Sequence, residues 1–363
     1  MFGYVLRGTG YGFIQQCQTR ILIPALIGSH VALATTLTDK SRMARFQILA
    51  LDGGGIRGLF SAAVLAKLEE KLCIRIVDHF DLITGTSTGG IIAIGLGLGM
   101  RPREILRFYV EGGPRIFRNR FRWRDCYHLF RRKYSGSGLE AALRLGGAFG
   151  DKKLGESKSR LVIPAYNLNQ DKVRVFKTPH HQRLTTDWQI PAWKVAMATS
   201  AAPTFFPVCR QVENARLIDG GVWANNPSVV GIAEAVSLFG CELSNIQVLS
   251  VGTTDARVKR SENLDRGGIL QWLRRRGIVD ILMRGQSVGT NNLAAHLIGA
   301  ANLVRIDPVV PEVSAIDRMN ADDLLAEAED TALHEGPRIG AQLCDHRAAP
   351  YNPLYPGTME KSA

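Results

Sequence analysis

The serine at position 87 stands where a nucleophile could be held. Residues 85–89 read GTSTG, directly after the apolar run FDLIT and before a second apolar stretch. The G-x-S-x-G spacing suits a sharp strand-to-helix turn with a projecting hydroxyl, because Gly85 and Gly89 leave room for neighbouring backbone. The helix N-terminus would then direct N–H groups toward an oxyanion. The pattern indicates attack on an ester, and the alternative is a plain small-residue turn.

A serine nucleophile needs a base, and the sequence offers two kinds. Ordinary α/β-hydrolases use a histidine late in the chain. The late histidines here are His296, His334 and His346. None lies in a clear loop at a predicted strand end. Asp219 opens the sequence DGG directly after the short run RLI, so its carboxylate could approach another loop closely. We favour Asp219, although Asp-Gly pairs are also common in ordinary turns.

A glycine-rich loop, DGGGIRG at 52–58, separates the first apolar run from a helical pattern. Gly53, Gly55 and Gly58 match G-x-G-x-x-G, and Asp78 lies 20 residues beyond Gly58, near the place of a ribose-binding acid. This spacing is typical of a dinucleotide-binding oxidoreductase. The same loop could instead gather backbone N–H groups around the oxyanion of an ester. The serine motif has no use in a dinucleotide-binding fold, so it favours the hydrolase.

Buried strands and helices alternate along the rest of the sequence. The predicted strands are 46–51, 80–84, 161–166, 173–176, 216–218, 246–251 and 303–306, and the predicted helices are 59–72, 88–99, 192–201, 228–239 and 269–283. Such alternation indicates an α/β fold with a mainly parallel sheet and helices on both faces.

Together, DGGGIRG, GTSTG and DGG resemble the patatin-like phospholipase family, as do the stretches at 198–207, 220–227 and 249–253. The resemblance implies a three-layer patatin-like fold and a dyad of Ser87 and Asp219 without histidine. It also implies an oxyanion hole from the backbone of Gly53, Gly54 and Gly55. The remaining motif residues are Asp52, Arg57, Gly58, Gly85, Gly89, Gly220 and Gly221. The implied reaction releases a fatty acid and a lysophospholipid with no metal or cofactor, and an inactive lipid-binding scaffold is disfavoured because every motif residue is present.

Within the family, the stretches PTFFP, WANNP and 271–300 resemble bacterial phospholipase effectors of anti-phage signalling, which a cyclic dinucleotide switches on. This resemblance implies a cytoplasmic enzyme that acts at the inner membrane surface. Its partners would be membrane phospholipids and a cyclic dinucleotide, with no DNA or RNA polymer, and an oligomer stays open. The alternative is a constitutive acyl hydrolase without nucleotide control.

Basic residues outnumber acidic ones, 45 against 33, and the formal net charge of +12 favours an anionic partner. Arginines and aromatic residues alternate over 114–134, and residues 274–276 are a second basic cluster. Such a mixture suits a membrane interface, a nucleotide, or simply a solvated basic helix.

Residues 1–45 differ in composition from the rest of the chain, because acidic residues are nearly absent there. They can be interpreted as a signal peptide, but we favour a non-native upstream start, with Met43 as the initiator. Residues 46–232 form the predicted catalytic core, 233–345 complete the same domain, and 346–363 are a tail. The six cysteines are unclustered, which is typical of a reduced cytosolic protein.

Overall fold

The apolar runs of the sequence become the strands of one central sheet. The computed structural model describes residues 45–116, 134–145, 148–256, 277–310 and 321–355. The strands are β1 (Phe46–Leu51), β2 (Leu82–Gly85), β3 (Arg160–Asn167), β4 (Lys172–Lys177), β5 (Leu217–Asp219), β6 (Ile246–Val251), β7 (Asp255–Ala256), β8 (Leu303–Ile306) and β9 (Val309–Val310). The helices are α1 (Gly58–Leu72), α2 (Thr88–Gly97), α3 (Pro102–Ile116), α4 (Ser137–Glu140), α5 (Ala192–Thr199), α6 (Gly221–Ala224), α7 (Ser228–Phe239), α8 (Gly277–Ile298) and α9 (Ala321–Leu343).

The main sheet has seven strands in the order β4-β3-β2-β1-β6-β8, with β5 also paired to β3. Strands β1, β2, β3, β6 and β8 run parallel to their neighbours along this path. Strands β4 and β5 run antiparallel to β3. The prediction of a mainly parallel sheet is therefore confirmed, with two antiparallel strands beside β3.

Helices cover both faces of this sheet. Strand β1 is buried along its whole length, and its side chains alternate between two apolar cores. Leu49 and Leu51 belong to the core shared with α1, α2 and α9. Ile48 and Ala50 belong to the core shared with α7 and α8. A strand buried on both faces is apolar at most positions, which explains the run at 48–51. The exception is Gln47, whose side-chain amide donates to the carbonyl of Leu343 at 3.0 Å. The predicted three-layer α/β fold is confirmed.

The pairing of β3 brings two distant segments together. Strand β2 pairs with β3 at residues 160–162, and β5 pairs with it at residues 165–167. Since β4 lies along the other edge of β3, β2 and β5 share one edge and meet nearly end to end. The antiparallel direction of β5 places its last residue, Asp219, opposite Ala165. The ends of β2 and β5 therefore converge on one point.

Four helices were not predicted from the sequence: the single-turn helices α4 and α6, and the longer α3 and α9. Both α3 and α9 pack against α1. The predicted helix over 269–283 corresponds to α8, which extends to Ile298; residues 269–276 lie outside the described residues. The predicted leader lies outside them as well, apart from Arg45. In the part of the chain that the structure describes, no helix is both long and apolar enough to cross a membrane.

The segment after α9 lies against the amino ends of the strands. The N–H of Ala348 donates to the carbonyl of Asp78, and that of Leu354 donates to Pro179. The imidazole of His346 contacts the carboxylate of Asp81 at 2.7 Å. Residues 346–355, part of the predicted tail, are thus held to the domain.

Candidate active site

Ser87 occupies a strained turn between β2 and α2. Its backbone has φ 55° and ψ −122°, a region that residues other than glycine seldom adopt. The close approaches of this turn explain its two glycines. A methyl group on Gly85 would lie 2.2 Å from the carbonyl oxygen of Gly89, and one on Gly89 would lie 2.2 Å from that of Leu51. The strand–turn–helix setting predicted for the serine is present.

The hydroxyl of Ser87 donates a hydrogen bond of 2.6 Å to Oδ2 of Asp219. The other carboxylate oxygen, Oδ1, accepts a hydrogen bond of 2.7 Å from the N–H of Gly221. The backbone of Ser87 is also held in place, because its N–H donates to the hydroxyl of Thr199 at 3.0 Å. That hydroxyl in turn donates to the carbonyl of Pro164 at 2.6 Å. Both members of the predicted pair are held in hydrogen-bonding geometry.

The electrostatic setting makes Asp219 a stronger base than an ordinary aspartate. Only 2% of the residue is exposed to solvent. Burial raises the pKa of Asp219 to about 6, and the hydrogen bonds from Ser87 and Gly221 oppose this rise. A carboxylate whose pKa is closer to neutrality takes up a proton more readily, while it stays largely ionised at pH 7.

The glycine loop after β1 supplies two backbone donors rather than three. Gly54 and Gly55 line the same cavity as Ser87. The N–H of Gly53 points away and donates to the carbonyl of Asn225 at 3.0 Å. Among the hydrogen bonds of the described residues, none is donated by the N–H of Gly54 or Gly55. Gly55 has φ 61°, the left-handed region that favours glycine. Gly53 thus positions the loop, while Gly54 and Gly55 line the cavity and donate none of the hydrogen bonds found among the described residues.

The other motif residues hold these loops in place. Asp52 pairs with Arg305 of β8, and the guanidinium of Arg57 donates to the carbonyl of Thr254 at 3.0 Å. Close packing accounts for the remaining glycines. A methyl group on Gly58 would collide with the hydroxyl of Thr88, and one on Gly220 would collide with the carbonyl of Pro164. A methyl group on Gly221 would come close to Met283, Asn225 and Asp219.

Three supporting side chains, Arg305, Asn225 and Thr253, were missed in the sequence. The hydroxyl of Thr253 donates to the carbonyl of Gly53 at 3.3 Å. The amide of Asn225 donates to the hydroxyl of Ser287 at 2.8 Å, which links the glycine loop to α8. The only sequence signal for Asn225 was the stretch WANNP, which contains it. The only signal for Thr253 was the stretch LSVGT, which ends with it.

A largely apolar cavity opens above the Ser87–Asp219 pair. It encloses about 690 Å³, part of it open to solvent. Its polar floor consists of the glycine loop and the pair itself. The apolar residues that line the rest are Ile91, Phe108, Tyr109, Ile116, Leu139, Ala202, Phe205, Phe206 and Met283. Apolar walls above a polar floor suit a small apolar ligand or a lipid chain.

The alternative assignments gain no support from this geometry. None of the late histidines lines the cavity. His296 and His334 are exposed on helices, and His346 pairs with Asp81. Asp78, the candidate ribose-binding acid, precedes β2 and therefore lies at the opposite end of the sheet from the glycine loop. It pairs there with Arg347.

Two predicted basic segments lie mostly or wholly outside the described residues. The arginine-rich and aromatic segment lies outside the described residues over 117–133, and so do residues 274–276. Within the ranges that the structure describes, no group of three histidine, cysteine or acidic side chains could hold a metal ion.

Similarity to known proteins identifies the family of this chain. Residues 49–230 match the family model of the patatin-like phospholipases. The chain is 33% identical to a cGAMP-activated phospholipase of Pseudomonas aeruginosa, over 76% of this chain and 83% of the relative. It is 32% identical to a cGAMP-activated phospholipase of Escherichia coli, over 83% and 89%. It is also 36% identical to patatin-like protein 4 of Arabidopsis thaliana, over 51% of each chain. Family model, relatives and fold agree, and the chain belongs to the patatin-like phospholipases, a family of lipid hydrolases.

Proposed function

We propose that this protein is a phospholipase A-type acyl hydrolase with Ser87 as nucleophile and Asp219 as its base. The observation that carries the proposal is the 2.6 Å hydrogen bond from Ser87 to Asp219 on the floor of an apolar cavity. A buried serine–carboxylate contact has no need of such a cavity if its role is only structural. Beside a cavity with apolar walls, the same contact supports the assignment of Ser87 as a nucleophile for an ester.

The reaction proceeds in two halves. In the first, Oγ of Ser87 attacks the ester carbonyl carbon and its proton passes to Oδ2 of Asp219. The tetrahedral intermediate collapses, the lysophospholipid alkoxide leaves with that proton, and the acyl group stays on Ser87. In the second half, Asp219 takes a proton from water, and the resulting hydroxide attacks the acyl carbonyl carbon. The bond from that carbon to Oγ of Ser87 then breaks, the fatty acid leaves, and Oγ takes back the proton from Asp219.

The oxyanion of both intermediates is stabilised by the backbone N–H groups of Gly54 and Gly55. Donors that are already aimed at the cavity need no reorganisation when charge develops, and the apolar surroundings strengthen their effect. The hydrogen bond from Gly53 to Asn225 holds this loop against the segment that follows Asp219. The donors and the base are thereby fixed to one another.

The test is hydrolysis of phospholipid vesicles followed by mass spectrometry, with serine labelling by a fluorophosphonate. We expect Ser87→Ala to lose both labelling and hydrolysis, by up to about a million-fold in turnover. Asp219→Asn should be nearly as inactive, because an amide cannot accept the serine proton. His296→Ala, on an exposed helical position, is the matched control and should retain full activity. Loss of activity in the His296 variant together with an active Asp219 variant would replace the dyad by an ordinary histidine mechanism.

We further propose that a cyclic dinucleotide activates the enzyme, as part of an antiviral response at the inner membrane surface. Two relatives that each align over most of this chain carry the name cGAMP-activated phospholipase. The net charge of +12 favours an anionic ligand. An unregulated phospholipase would also attack the membrane of its own cell. A shift from about 1% to 99% of the competent state requires roughly 5.5 kcal/mol of differential affinity, which several phosphate and stacking contacts can supply.

Gating is tested apart from catalysis. The purified full chain is titrated with a panel of 3′,3′- and 2′,3′-linked cyclic dinucleotides while hydrolysis of a fluorogenic phospholipid is recorded. We expect negligible hydrolysis without nucleotide and saturable activation by at least one member of the panel. Full activity without nucleotide, unchanged across the panel, would identify a constitutive hydrolase. That result would leave the Ser87–Asp219 assignment intact.

A further inference from the structure

A buried hydroxyl group without a hydrogen-bonding partner lies beside the catalytic pair. Ser200 directly follows the last residue of α5, and only 5% of it is exposed to solvent. It lines the same cavity as Ser87 and Asp219. Within the part of the chain that the structure describes, no group forms a hydrogen bond with its Oγ. A buried hydroxyl that forms no hydrogen bond destabilises a fold, so its presence at this position requires an explanation.

The backbone of Ser200 is fully engaged in hydrogen bonds. Its N–H donates to the carbonyl of Ala196 at 3.1 Å, and its carbonyl accepts from the N–H of Ala202 at 2.8 Å. These contacts fix the main chain at the end of α5. The side-chain oxygen is therefore the one polar atom of Ser200 that has no partner among the described residues.

Ser200 lies between two residues that hold the catalytic pair. The hydroxyl of Thr199 accepts a hydrogen bond of 3.0 Å from the N–H of Ser87. The carbonyl of Ala201 accepts one of 3.1 Å from the N–H of Asp219. The chain at Ser200 is thereby bonded to the nucleophile on one side and to the base on the other. Together with the shared cavity, these contacts bring Ser200 close to both residues.

In both halves of the proposed reaction, Asp219 exchanges a proton with an oxygen atom that does not belong to the enzyme. In the first half, the alkoxy oxygen of the ester leaves the acyl carbon and takes the proton from Asp219. In the second half, a water oxygen gives a proton to Asp219 and forms a bond to the same carbon. The two oxygens therefore occupy one place, next to Asp219 and the acyl carbon. A hydroxyl group suits this place, because it can donate to the departing alkoxide and accept from the entering water.

We propose that the hydroxyl of Ser200 binds this exchanging oxygen, and that Ser200 is a further catalytic residue. The inference rests on the proposed function, because the oxygen has its place only when Ser87 carries or receives the acyl group. It explains why the hydroxyl is kept in a buried position without a protein partner. Its partner is the leaving-group oxygen in acylation and the water in deacylation.

The experiment compares Ser200→Ala with the parent on two esters of one fatty acid. Stopped-flow measurement with the p-nitrophenyl ester gives the acylation and deacylation rate constants separately. We expect deacylation to slow about tenfold, the usual loss for one hydrogen bond, because the water loses a contact. Acylation by this ester should be unchanged, since p-nitrophenoxide is a stable anion that leaves without a hydrogen bond. Acylation by an alkyl ester of the same acid, measured as kcat/KM, should slow about tenfold, because its alkoxide is a poor leaving group.

Ser157→Ala is the matched control. Ser157 is also buried, at 2% exposed, but its hydroxyl donates to the carbonyl of Ser159 at 2.7 Å. This variant should keep all three rate constants of the parent and have a lower melting temperature, because it loses that hydrogen bond. Ser200→Ala should melt at no lower temperature than the parent, because it removes a hydroxyl that has no partner.

The three rate constants distinguish a contact with the exchanging oxygen from a structural role. Equal slowing of all three in Ser200→Ala, or no slowing of any, would overturn the inference while the hydrolase stands. A parent protein that neither labels with a fluorophosphonate nor hydrolyses either ester would instead overturn the proposed function.

Discussion

Asp52 and Arg305 form a bidentate ion pair at the carboxyl end of the sheet. Nη1 of Arg305 lies 2.9 Å from Oδ1 of Asp52, and Nη2 lies 2.6 Å from Oδ2. Strand β6 stands between the two strands that carry them, and its Ser250 accepts a hydrogen bond of 2.7 Å from the same guanidinium. The residue that opens the glycine loop is thereby tied to the last strand of the sheet. The start of the loop that holds the proposed oxyanion donors is thus paired with a residue 253 positions away in the sequence.

We expect Arg305→Gln to destabilise the fold by about 3–5 kcal/mol, because it leaves the carboxylate of Asp52 buried without a partner. Turnover of the folded variant should also fall, since the loop loses its anchor. Denaturant unfolding and kcat measure the two effects. Arg347→Gln breaks an exposed pair with Asp78 and should cost at most about 1 kcal/mol.

The double variant Asp52→Asn/Arg305→Gln separates the lost contact from the buried charge. It should recover part of the stability, because the buried carboxylate at position 52 is gone and Asp307, the other partner of Arg305, is partly exposed, but it should recover little of the turnover. If Arg305→Gln proves no more costly than Arg347→Gln, the pair does not hold the loop.

The sequence predicts the elements that are determined by nearby residues, such as buried strands and tight turns. Strands β1 and β6 have the predicted bounds because they are buried, mainly apolar runs with a glycine one or two positions beyond their ends, Gly53 and Gly252. The serine turn was predictable because its glycines are demanded by contacts within the turn or with the adjacent strand. Helices α3 and α9 were missed because GGP at 112–114 and Pro337 normally interrupt helices. Packing of both helices against α1 outweighs that local cost.

In the candidate site, too, the residues within local motifs were predictable and the residues that support them were not. Ser87, Asp219 and the glycine loop are recognisable as motifs, whereas their supports come from pairings across the sheet. The assignment of three oxyanion donors illustrates this limit. The N–H of Gly53 is engaged by the carbonyl of Asn225, 172 residues further along the chain. No spacing within DGGGIRG could indicate that partner.

Gly54→Ala tests the oxyanion loop. A methyl group there would lie 2.1 Å from the hydroxyl oxygen of Thr253 and 2.6 Å from its Cβ, so the loop must move. We expect turnover to fall by roughly a hundred- to a thousand-fold, as for the loss of one oxyanion donor. Some stability should be lost too, because the displaced loop carries Asp52 and Gly53.

The matched control for that variant is Gly285→Ala, where an added methyl group meets nothing within 4 Å. Its turnover should equal that of the parent. A second variant, Gly54→Ala/Thr253→Gly, removes the colliding side chain and should recover part of the activity. Parental turnover in a well-folded Gly54→Ala protein would mean that the loop takes no part in catalysis.

The pH dependence of kcat/KM should show an acid limb near pH 6. Asp219 must be ionised to accept the serine proton, and burial places the pKa of this carboxyl at about 6. Activity therefore rises as pH increases through this value and levels off above it. Burial also raises the pKa of Asp52 to about 6, against the opposing charge of Arg305. Two carboxyl groups that ionise together should make the limb steeper than a single titration.

The profile is best measured with a short-chain soluble ester, so that changes in the vesicle surface do not contribute. Circular dichroism at each pH confirms that the protein stays folded. A rate that remains constant well below pH 6 in folded protein would rule out Asp219 as the base.

Asp219→Asn should yield an inactive protein that is more stable than the parent at pH 7. The folded-state pKa of Asp219, about 6, lies some two units above the ordinary value of 3.8, so the fold binds the proton more tightly than the unfolded chain does. The ionised carboxylate therefore destabilises the fold by up to about 3 kcal/mol at pH 7. This destabilisation is absent below the pKa of Asp219 in the unfolded chain. It grows as the pH rises and levels off once the pH exceeds the pKa of Asp219 in the folded protein. An asparagine avoids it, since its oxygen can accept from Gly221 while its amide donates to Ser87.

Thermal unfolding measured from pH 4 to pH 7 tests this expectation. The difference in melting temperature between Asp219→Asn and the parent should be positive at pH 7 and shrink as the pH falls, because the parent carboxyl then becomes neutral as well. Asp151→Asn replaces a carboxylate that is exposed at the surface, where its side chain is 80% accessible. That control should show no comparable gain at any pH. A pH-independent loss of stability in Asp219→Asn would mean that the carboxylate is stabilised by its surroundings, and the high basicity assigned to it would then be wrong.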